Sequence, residues 1–434
     1  MTRTAIECTS GTTTGCALCP QSSLFLCLSR LLTMASPITA EETSLLQKIR
    51  ARLAGLEEFG DGYLLRWLRG KLPTPILFLL TASLFCSKRK RRRRNIESAE
   101  RRHLVFRKAW HCDQLLTSWK RPEVLEKYCG YGYCGPDKEQ SPVLVSLFGN
   151  MDVEGIFKSV QSQDYIKYSL MAVEYGMRKC QQLALKTGHP YRQMLLVFDL
   201  DNMTTAHYSA KSFASTFLTL VNLYQVHYPL LVKKIIVIRA PAIARHSYNF
   251  LTTFLSETTQ NMIEMPGDDW KEVIFKYISP EHWPKYWGGT MTDPDGDPKC
   301  ASKLHFGLGP VPETYYLDAD TMFKFDGETT IHAGEKHLIE FDVRKAGSVI
   351  SWQYTTQSED VGFALYYDPK GDCRDLEQLE PVFPYIRLEC SIVPLTGCFE
   401  CDKTGRYIME FDNYYAWFTA KELRYTIDLE EPNS

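Results

Sequence analysis

The chain has 434 residues and a formal net charge of −2 at pH 7, and 44% of its residues are hydrophobic and 24% charged. A globular protein of two or three domains has this size and composition. The near-neutral charge excludes a general attraction to nucleic acid or to anionic membranes, so binding of that kind requires a local patch.

The first residues contain a short apolar run, SSLFLCLSRLL, without the basic start or the small-residue cleavage site of a signal peptide. We expect residues 1–33 to be an unstructured extension, with a signal peptide as the alternative. The next segment, MASPITAEETSLLQKIRARL, has a helix start with Thr39 as the N-cap and an acidic first turn. The 14 Cys residues follow no repeating framework, which favours reduced thiols and a cytoplasmic location.

Residues 71–94, KLPTPILFLLTASLFCSKRKRRRR, join an apolar run to a basic block. The run over residues 73–86 has 14 residues, whereas a spanning helix needs about 20. The flanking sequences DGYLLRWLRG and NIESAERRHLVFRKAW form one small amphipathic helical pattern that the segment does not share. We therefore interpret residues 70–92 as an insertion foreign to the fold, such as read-through of an unspliced segment. A membrane anchor is the alternative for the apolar run. For the basic run we favour a solvated disordered loop over a nuclear signal or an anionic-surface patch.

Between residues 129 and 289, short apolar strand patterns alternate with long helical patterns. The strands are predicted at 141–149, 193–201 and 232–241, and the helices at 162–187 and 206–226. This order indicates a mainly parallel sheet with helices packed on it. Neither a phosphate-binding Gly-rich loop nor a G-x-S-x-G nucleophile turn follows a strand, so binding is favoured over catalysis. Asp199 and Asp201 at a strand end suit either Mg²⁺ or helix capping and turn chemistry, and we favour capping or turn chemistry.

Residues 240–300 contain YNFLTTFLSETT, WKEVIFKYISPEHWP and GGTMTDPDGDPKC, and PDKEQSPVLVSLFGNMDVEGI and HYPLLVKKIIVIRAP precede them. These motifs resemble the CRAL-TRIO lipid-transfer family, especially its animal branch of supernatant protein factor and tocopherol-associated proteins. The resemblance covers the chain from about residue 36 to its end, except residues 70–92. It implies an α/β lipid-binding domain with an N-terminal helical unit, which encloses one lipid without a covalent step and without a cofactor.

The resemblance also implies a mobile gate helix, which corresponds to residues 242–255 and is called the gate segment below. Ala244, Tyr248, Leu251 and Leu255 follow one helical stripe, although an ordinary core helix would show the same pattern. Phe250 and Phe254 are predicted to widen this stripe. The predicted lipid site comprises Ala244, Tyr248, Phe250, Leu251, Phe254, Leu255 and Thr259, with Phe198, Ile236 and Ile238 from the sheet.

Departures from the family pattern bear on the ligand. In phosphatidylinositol-binding members an acidic residue follows the Tyr-Pro pair that matches Tyr228 and Pro229, and here Leu230 stands there. A Lys of those members is replaced by Met262, whereas Thr259 matches a headgroup contact. Losing both charges removes the charge-assisted hydrogen bonds that give phosphate specificity. We expect a tocopherol, squalene, sterol-like or phosphatidylcholine-type ligand.

After the turn-rich linker at residues 291–315, the hydrophobic period changes to two. The segments LIEFDV, SVISWQY, VGFALYY, RYIMEFDN and LRYTIDL predict the strands of a β-sandwich or jelly roll over residues 316–432. EDVGFALYY and GRYIMEFDNYYAWFTAKELRYTIDL resemble a GOLD domain, which implies a protein-contact module. Cys398 and Cys401 form a lone C-x-x-C pair, and we favour free thiols over zinc.

The predicted organisation places the N-terminal helical unit at residues 34–120 and the lipid-binding domain at residues 121–290, before the linker and sandwich. The leading prediction is non-enzymatic binding and intermembrane transfer of a hydrophobic ligand in a gated apolar pocket. We expect a cytoplasmic protein that contacts membrane surfaces transiently and has no nucleic-acid partner. The alternative is a lipid-sensing trafficking adaptor or scaffold that acts on a protein partner through the GOLD-like domain.

Overall fold

A computed structural model of the chain describes residues 38–51, 60–70, 98–188, 192–373 and 375–432. The predicted extension at residues 1–33 lies outside the described residues, and so does the predicted insertion at residues 70–92 apart from its first residue. Within the described ranges, no helix combines the length and hydropathy that crossing a bilayer requires.

Three helices precede the sheet: α1 (Ala40–Arg50), α2 (Asp61–Gly70) and α3 (residues 98–109). Thr39 caps α1 as predicted, because its hydroxyl accepts a hydrogen bond from the Glu42 amide at 3.2 Å while the Glu42 carboxylate accepts one from the Thr39 amide at 2.9 Å. The same carboxylate pairs with Arg69 at 2.9 Å, so one acidic residue both starts α1 and joins it to α2.

The central sheet has five strands in the order in which they occur in the chain. They are β1 (Tyr131–Pro136), β2 (Pro142–Ser146), β3 (Met194–Asp199), β4 (Val232–Ile238) and β5 (Ile263–Glu264). Strands β2 to β5 pair in parallel and β1 pairs antiparallel with β2, which confirms the mainly parallel sheet. The sequence patterns missed β1, which contains Gly and Pro, and β5, which has two residues.

Helices cover both faces of this sheet. They are α4 (Glu123–Tyr128), α5 (Val153–Ser159), α6 (Ser162–Thr187), α7 (Ala206–Ser209), α8 (Lys211–His227), α9 (Ala242–Thr252), α10 (Glu257–Met262) and α11 (Trp270–Tyr277). The bounds of α6 equal the predicted ones. This helix ends at Gly188, whose φ of 68° is a conformation that other residues rarely adopt.

The two faces of the sheet differ in how they are packed. One face is a closed core in which Val145, Val197 and Ile236 meet Ile274 of α11 and the buried ring of Trp283. The other face is turned toward α6, α8 and α9. Because successive side chains of a strand point to opposite faces, each of β2, β3 and β4 contributes to both sides.

The C-terminal part begins with the short helix α12 (Ala319–Met322) and continues as a β-sandwich. Its strands are β6 (Gly327–Ile331), β7 (Lys336–Val343), β8 (Ser348–Thr356), β9 (Asp360–Asp368), β10 (Pro381–Glu389), β11 (Leu395–Cys401), β12 (Gly405–Asp412) and β13 (Lys421–Glu430). The sheet orders are β10-β9-β12-β7 and β11-β8-β13-β6. The ring of Tyr354 lies 5.4 Å from that of Phe363 and 5.1 Å from that of Phe411 across the two sheets. The all-β architecture is confirmed, and the GOLD identity stays a prediction.

The sandwich packs against α8 through strand β10. The buried carboxylate of Glu389 accepts a hydrogen bond from the Ser212 hydroxyl at 2.8 Å. Farther along α8, the Thr219 hydroxyl donates to the Arg387 carbonyl at 3.2 Å. One helix of the α/β domain is therefore also a packing surface of the sandwich.

Replacing Glu389 by Ala is expected to destabilise the protein at this contact. The Ser212 hydroxyl and the Ser391 and Ile392 amides would lose their acceptor, and an unsatisfied buried group costs about 1–3 kcal/mol. Urea unfolding should show a lower midpoint for Glu389→Ala than for a Glu422→Ala control, since Glu422 is exposed on β13. Equal midpoints for the two variants would contradict this role of Glu389.

Candidate functional site

An apolar cavity of about 870 Å³ lies between the sheet and helices α6, α8 and α9. Pockets that bind small molecules have about 300–1,000 Å³, so this cavity is near the upper end of that range. Sheet residues form its floor, α8 forms one long wall, and the gate segment borders one side.

The lining is mostly apolar. The sheet supplies Leu144, Leu196, Phe198, Ile235 and Val237, and α8 supplies Phe213, Phe217, Leu220, Val221 and Tyr224. The described lining contains no Lys, Arg, Asp or Glu. A charged group that moved from water into this cavity would lose its hydration and would find no opposite charge there. Such a transfer is strongly unfavourable. The cavity is therefore suited to a neutral guest.

Most of the predicted site residues meet at this cavity. The described lining includes Phe198, Ala244, Tyr248, Phe250, Leu251, Leu255 and Thr259. The gate segment is helical over Ala242–Thr252, and its predicted stripe of Ala244, Tyr248 and Leu251 faces the cavity. Their contact with a lipid remains a prediction.

Two predicted residues lie on the wrong face of the sheet. Ile236 and Ile238 are fully buried in the closed core with Val273 and Trp283, and their neighbours Ile235 and Val237 line the cavity instead. A parallel strand that is covered on both sides is apolar at every position, so hydrophobicity alone does not reveal which residues share a face. We remove Ile236 and Ile238 from the site.

Phe250 and Phe254 do not widen the buried stripe of the gate segment. Their side chains are 65% and 45% exposed, and their ring centroids lie 5.2 Å apart. Phe254 is absent from the cavity lining, and Phe250 reaches only its rim. The two rings form an apolar pair at the outer end of α9.

Gln225 holds the end of the gate segment, although the sequence patterns gave no sign of it. Its side-chain amide donates to the Phe254 carbonyl at 3.0 Å, and its oxygen accepts from the Ser256 amide at 2.7 Å and from the Thr259 hydroxyl at 3.2 Å. Gln225 belongs to the last turn of α8. A single amide side chain therefore joins the wall of the cavity to the gate segment. The helix also carries the amide of Asn222, so the sequence alone does not single out Gln225.

A buried polar network connects the cavity wall to the N-terminal helices. Arg107 on α3 pairs with Glu174 on α6 at 2.7 Å, and the Tyr228 hydroxyl donates to the same carboxylate at 2.7 Å. The ring nitrogens of His103 and His227 approach to 3.4 Å. Burial holds the pKa of His103 well below its usual value, and the neighbouring His227 and Arg107 lower this pKa further. The His103 ring is therefore neutral.

The carboxylates at the end of β3 have protein partners. Arg239 donates to Asp199 at 2.9 Å and to Asp201 at 2.6 Å, and the indole of Trp287 donates to Asp199 at 2.9 Å. The Asp201 amide donates back to the Asp199 carboxylate at 3.1 Å, which is turn chemistry. Throughout the described residues, no group of three or more His, Cys, Asp or Glu side chains is placed to hold a metal ion.

Comparison with family models gives two matches. The model described as CRAL/TRIO domain matches residues 126–289. The model described as F28H7_8_C:-like, C-terminal domain matches residues 321–434. The second description does not name a GOLD domain, so the GOLD-like reading of the sandwich stays a prediction.

Comparison with known proteins gives relatives over most of the chain. Protein ctg-1 of Caenorhabditis elegans is 45% identical over 405 residues, which cover 92% of this chain and 100% of the relative. CRAL-TRIO domain-containing protein T23G5.2 of the same organism is 24% identical over 278 residues, or 61% of this chain and 37% of the relative. The crystal structure of Sfh5 aligns at a TM-score of 0.43 with 15% identity, over 63% of this chain and 94% of that one.

Replacing Gln225 by Leu is expected to loosen the gate segment, because the backbone around Phe254 and Ser256 loses its hydrogen bonds to α8. At about 1 kcal/mol per lost bond, the loss of both bonds should make local opening about thirtyfold more frequent. Hydrogen exchange of the amides at residues 253–259 would report this. The same change at exposed Asn222, three residues earlier on α8, should have no effect. Equal exchange in both variants would contradict the role of Gln225.

Stability is expected to fall as the pH is lowered from about 7 towards 5. The folded-state pKa of His103 lies below its unfolded value of about 6.5. As the pH falls, the unfolded chain therefore binds a proton at His103 that the folded chain does not bind, and this favours unfolding. His103→Gln should flatten the curve of melting temperature against pH, and exposed His332→Gln should not. Any remaining slope would belong to the other rings with lowered pKa values, His111, His207 and His337. An unchanged curve for His103→Gln would refute this assignment.

Proposed function

The chain belongs to the CRAL/TRIO domain family, whose members in general bind and transfer lipids, and from this premise we propose that it carries one neutral lipid between membranes. The observation that supports the proposal is the cavity of about 870 Å³ without a charged side chain in its described lining. The proposed activity is the binding and release of a lipid rather than catalysis, so no covalent step is assigned to any residue.

The magnitudes explain why such a cavity is useful. Moving a lipid chain of about fifteen methylenes from a bilayer into water costs about 0.8 kcal/mol for each, or roughly 12 kcal/mol. That is on the order of nine decades in the equilibrium constant, at about 1.4 kcal/mol per decade. Apolar side chains around the guest, such as Phe198, Phe217 and Leu251, would remove most of this penalty.

The gate segment is proposed to open at a membrane surface. Phe250 and Phe254 present an apolar pair to the outside, and aromatic side chains are favoured at the boundary between water and lipid. Contact with a bilayer would cover these rings. The hydrogen bonds between Gln225 and the gate segment would then be replaced by other hydrogen bonds at a modest cost in free energy. The gate segment would open, and a lipid would leave or enter.

The lining supports a neutral ligand over a phosphoinositide. Leu230 and Met262, which stand where the family resemblance implies charged contacts to an inositol phosphate, both line the cavity. A phosphate bound there would lack the charge-assisted hydrogen bonds that such ligands require. Tocopherol, squalene and sterol-like molecules remain the proposed ligand classes, and membership in the tocopherol-associated branch is part of this proposal. The same argument disfavours the phosphatidylcholine-type lipids expected from the sequence, because their headgroup carries a phosphate and an ammonium group.

A lipid-sensing adaptor is the second candidate function, and one feature of the sandwich favours it. The loop between β12 and β13 exposes Trp417 by 87% and Phe418 by 94%, which suits contact with another molecule. The bond between Ser212 and Glu389 joins the sandwich to the cavity wall, so an occupied cavity could be sensed there. Rapid movement of labelled lipid between vesicles would favour the carrier, and slow release would favour the adaptor.

Replacing Leu251 by Asp is expected to reduce co-purifying lipid at least tenfold, because a carboxylate would be placed against an apolar guest. Phe254→Asp is the matched variant, since this residue belongs to the same segment but lies outside the lining. It should retain the lipid while slowing transfer between vesicles. Mass spectrometry of bound lipid and a vesicle transfer assay measure the two effects.

Two results would contradict the proposal. Full lipid retention by Leu251→Asp would show that the gate segment does not cover the ligand. Phosphatidylinositol bound as tightly as neutral lipids by the unaltered protein would refute the argument from Leu230 and Met262. The melting transition of the sandwich serves as the control for folding in both variants.

A further inference from the structure

The hydroxyl of Tyr165 on α6 stands out among the polar groups of the cavity. Its side chain is only 8% exposed and lines the cavity. Within the described chain, the contact found for this hydroxyl is the Met151 sulfur at 4.0 Å, and sulfur is a weak acceptor. Buried hydroxyls in native proteins nearly always have an oxygen or nitrogen partner, so a group in this position calls for one.

The other buried hydroxyls of the lining are supplied by the protein itself. The Tyr168 hydroxyl donates to the Cys129 carbonyl at 3.5 Å, and that of Tyr228 donates to Glu174 at 2.7 Å. The half-buried hydroxyls of Ser169 and Tyr224 bond to each other. The hydroxyl of Tyr208, which also lines the cavity, donates to the Met203 sulfur at 3.5 Å, but Tyr208 is only half-buried. Tyr165 is therefore set apart by the combination of burial and a sulfur partner.

The imidazole at the same end of the cavity is also occupied. The two ring nitrogens of His207 lie 3.3 Å from the Thr204 amide and 3.3 Å from the Phe148 carbonyl. It therefore does not compete with Tyr165 for a polar atom of a guest.

The surroundings of Tyr165 restrict the kind of partner. Its ring lies 5.1 Å from that of Phe157 and 6.4 Å from that of Phe213, and both are apolar. Burial raises the pKa of Tyr165 well above its usual value, so the phenol stays protonated and remains a donor. A neutral oxygen suits this donor, whereas a phosphate or an ammonium group would meet no opposite charge.

We propose that the Tyr165 hydroxyl binds the hydroxyl or carbonyl oxygen of the lipid in the cavity. The ligand class is then a largely hydrocarbon molecule that carries such a neutral oxygen, rather than a pure hydrocarbon. This inference rests on the proposed function and narrows it, since it separates sterol-like and tocopherol-like ligands from squalene-like ones.

The test compares two matched pairs of probes that differ by one hydroxyl, 5α-cholestan-3β-ol with 5α-cholestane and hexadecanol with hexadecane. Each pair is offered to the full chain in phosphatidylcholine vesicles, and the bound probe is quantified after separation from the vesicles. The unaltered protein should prefer the alcohol of at least one pair about tenfold, which is the effect of one buried hydrogen bond. Tyr165→Phe should reduce that preference to about onefold.

Tyr175→Phe is the control, because Tyr175 lies on the same helix but is 38% exposed and outside the cavity lining. It should keep the full preference for the alcohol. If the unaltered protein binds the alcohol and the hydrocarbon equally in both pairs, this result alone overturns the inference. A preference that survives in Tyr165→Phe would also overturn it and would leave the proposed function standing. Uptake of neither pair would overturn the neutral-lipid function itself, and this inference with it.

Discussion

The structure depends on the alternation of side chains along the central sheet. One face of β2, β3 and β4 packs into a closed core with Trp283 and Ile274, and the other face borders a space that side chains do not fill. By the scaling found for engineered cavities, leaving about 870 Å³ empty would cost on the order of 20 kcal/mol. That exceeds the net stability of a typical domain, about 5–15 kcal/mol. A closed empty space of this volume is therefore not expected in a stable domain, and the closed core on the other face holds the sheet together.

Helix α8 links this space to the rest of the molecule. Its apolar side forms a cavity wall, Gln225 in its last turn holds the gate segment, and Ser212 near its start contacts the sandwich. His227 at its end approaches His103 of the N-terminal helices. α8 is therefore the element that is in contact with the cavity, the gate segment, the sandwich and the N-terminal helices.

Charge is organised around the cavity and kept out of its lining. Arg107 and Glu174 pair behind the wall, and Arg239 neutralises Asp199 at the end of β3. Buried charges are tolerated when a partner and further hydrogen bonds compensate their lost hydration. The interior is thus left with neutral hydroxyls and apolar groups, which explains how a chain with 24% charged residues forms a compartment suited to lipid.

Local patterns in the sequence determined the elements: the full extent of α6, the three long parallel strands, the Thr39 cap and the period-two strands of the sandwich. These features depend on neighbouring residues, through helical or strand periodicity and through caps, so they can be read along the chain. Tertiary structure alone decided which side of β4 faces the cavity, because Ile235 and Ile236 are equally apolar and only the packing of α11 separates them. It also decided that the Phe254 side chain faces outward. The contact of Gln225 with the gate segment was likewise decided by tertiary structure, because it joins residues that are distant in sequence and close in space.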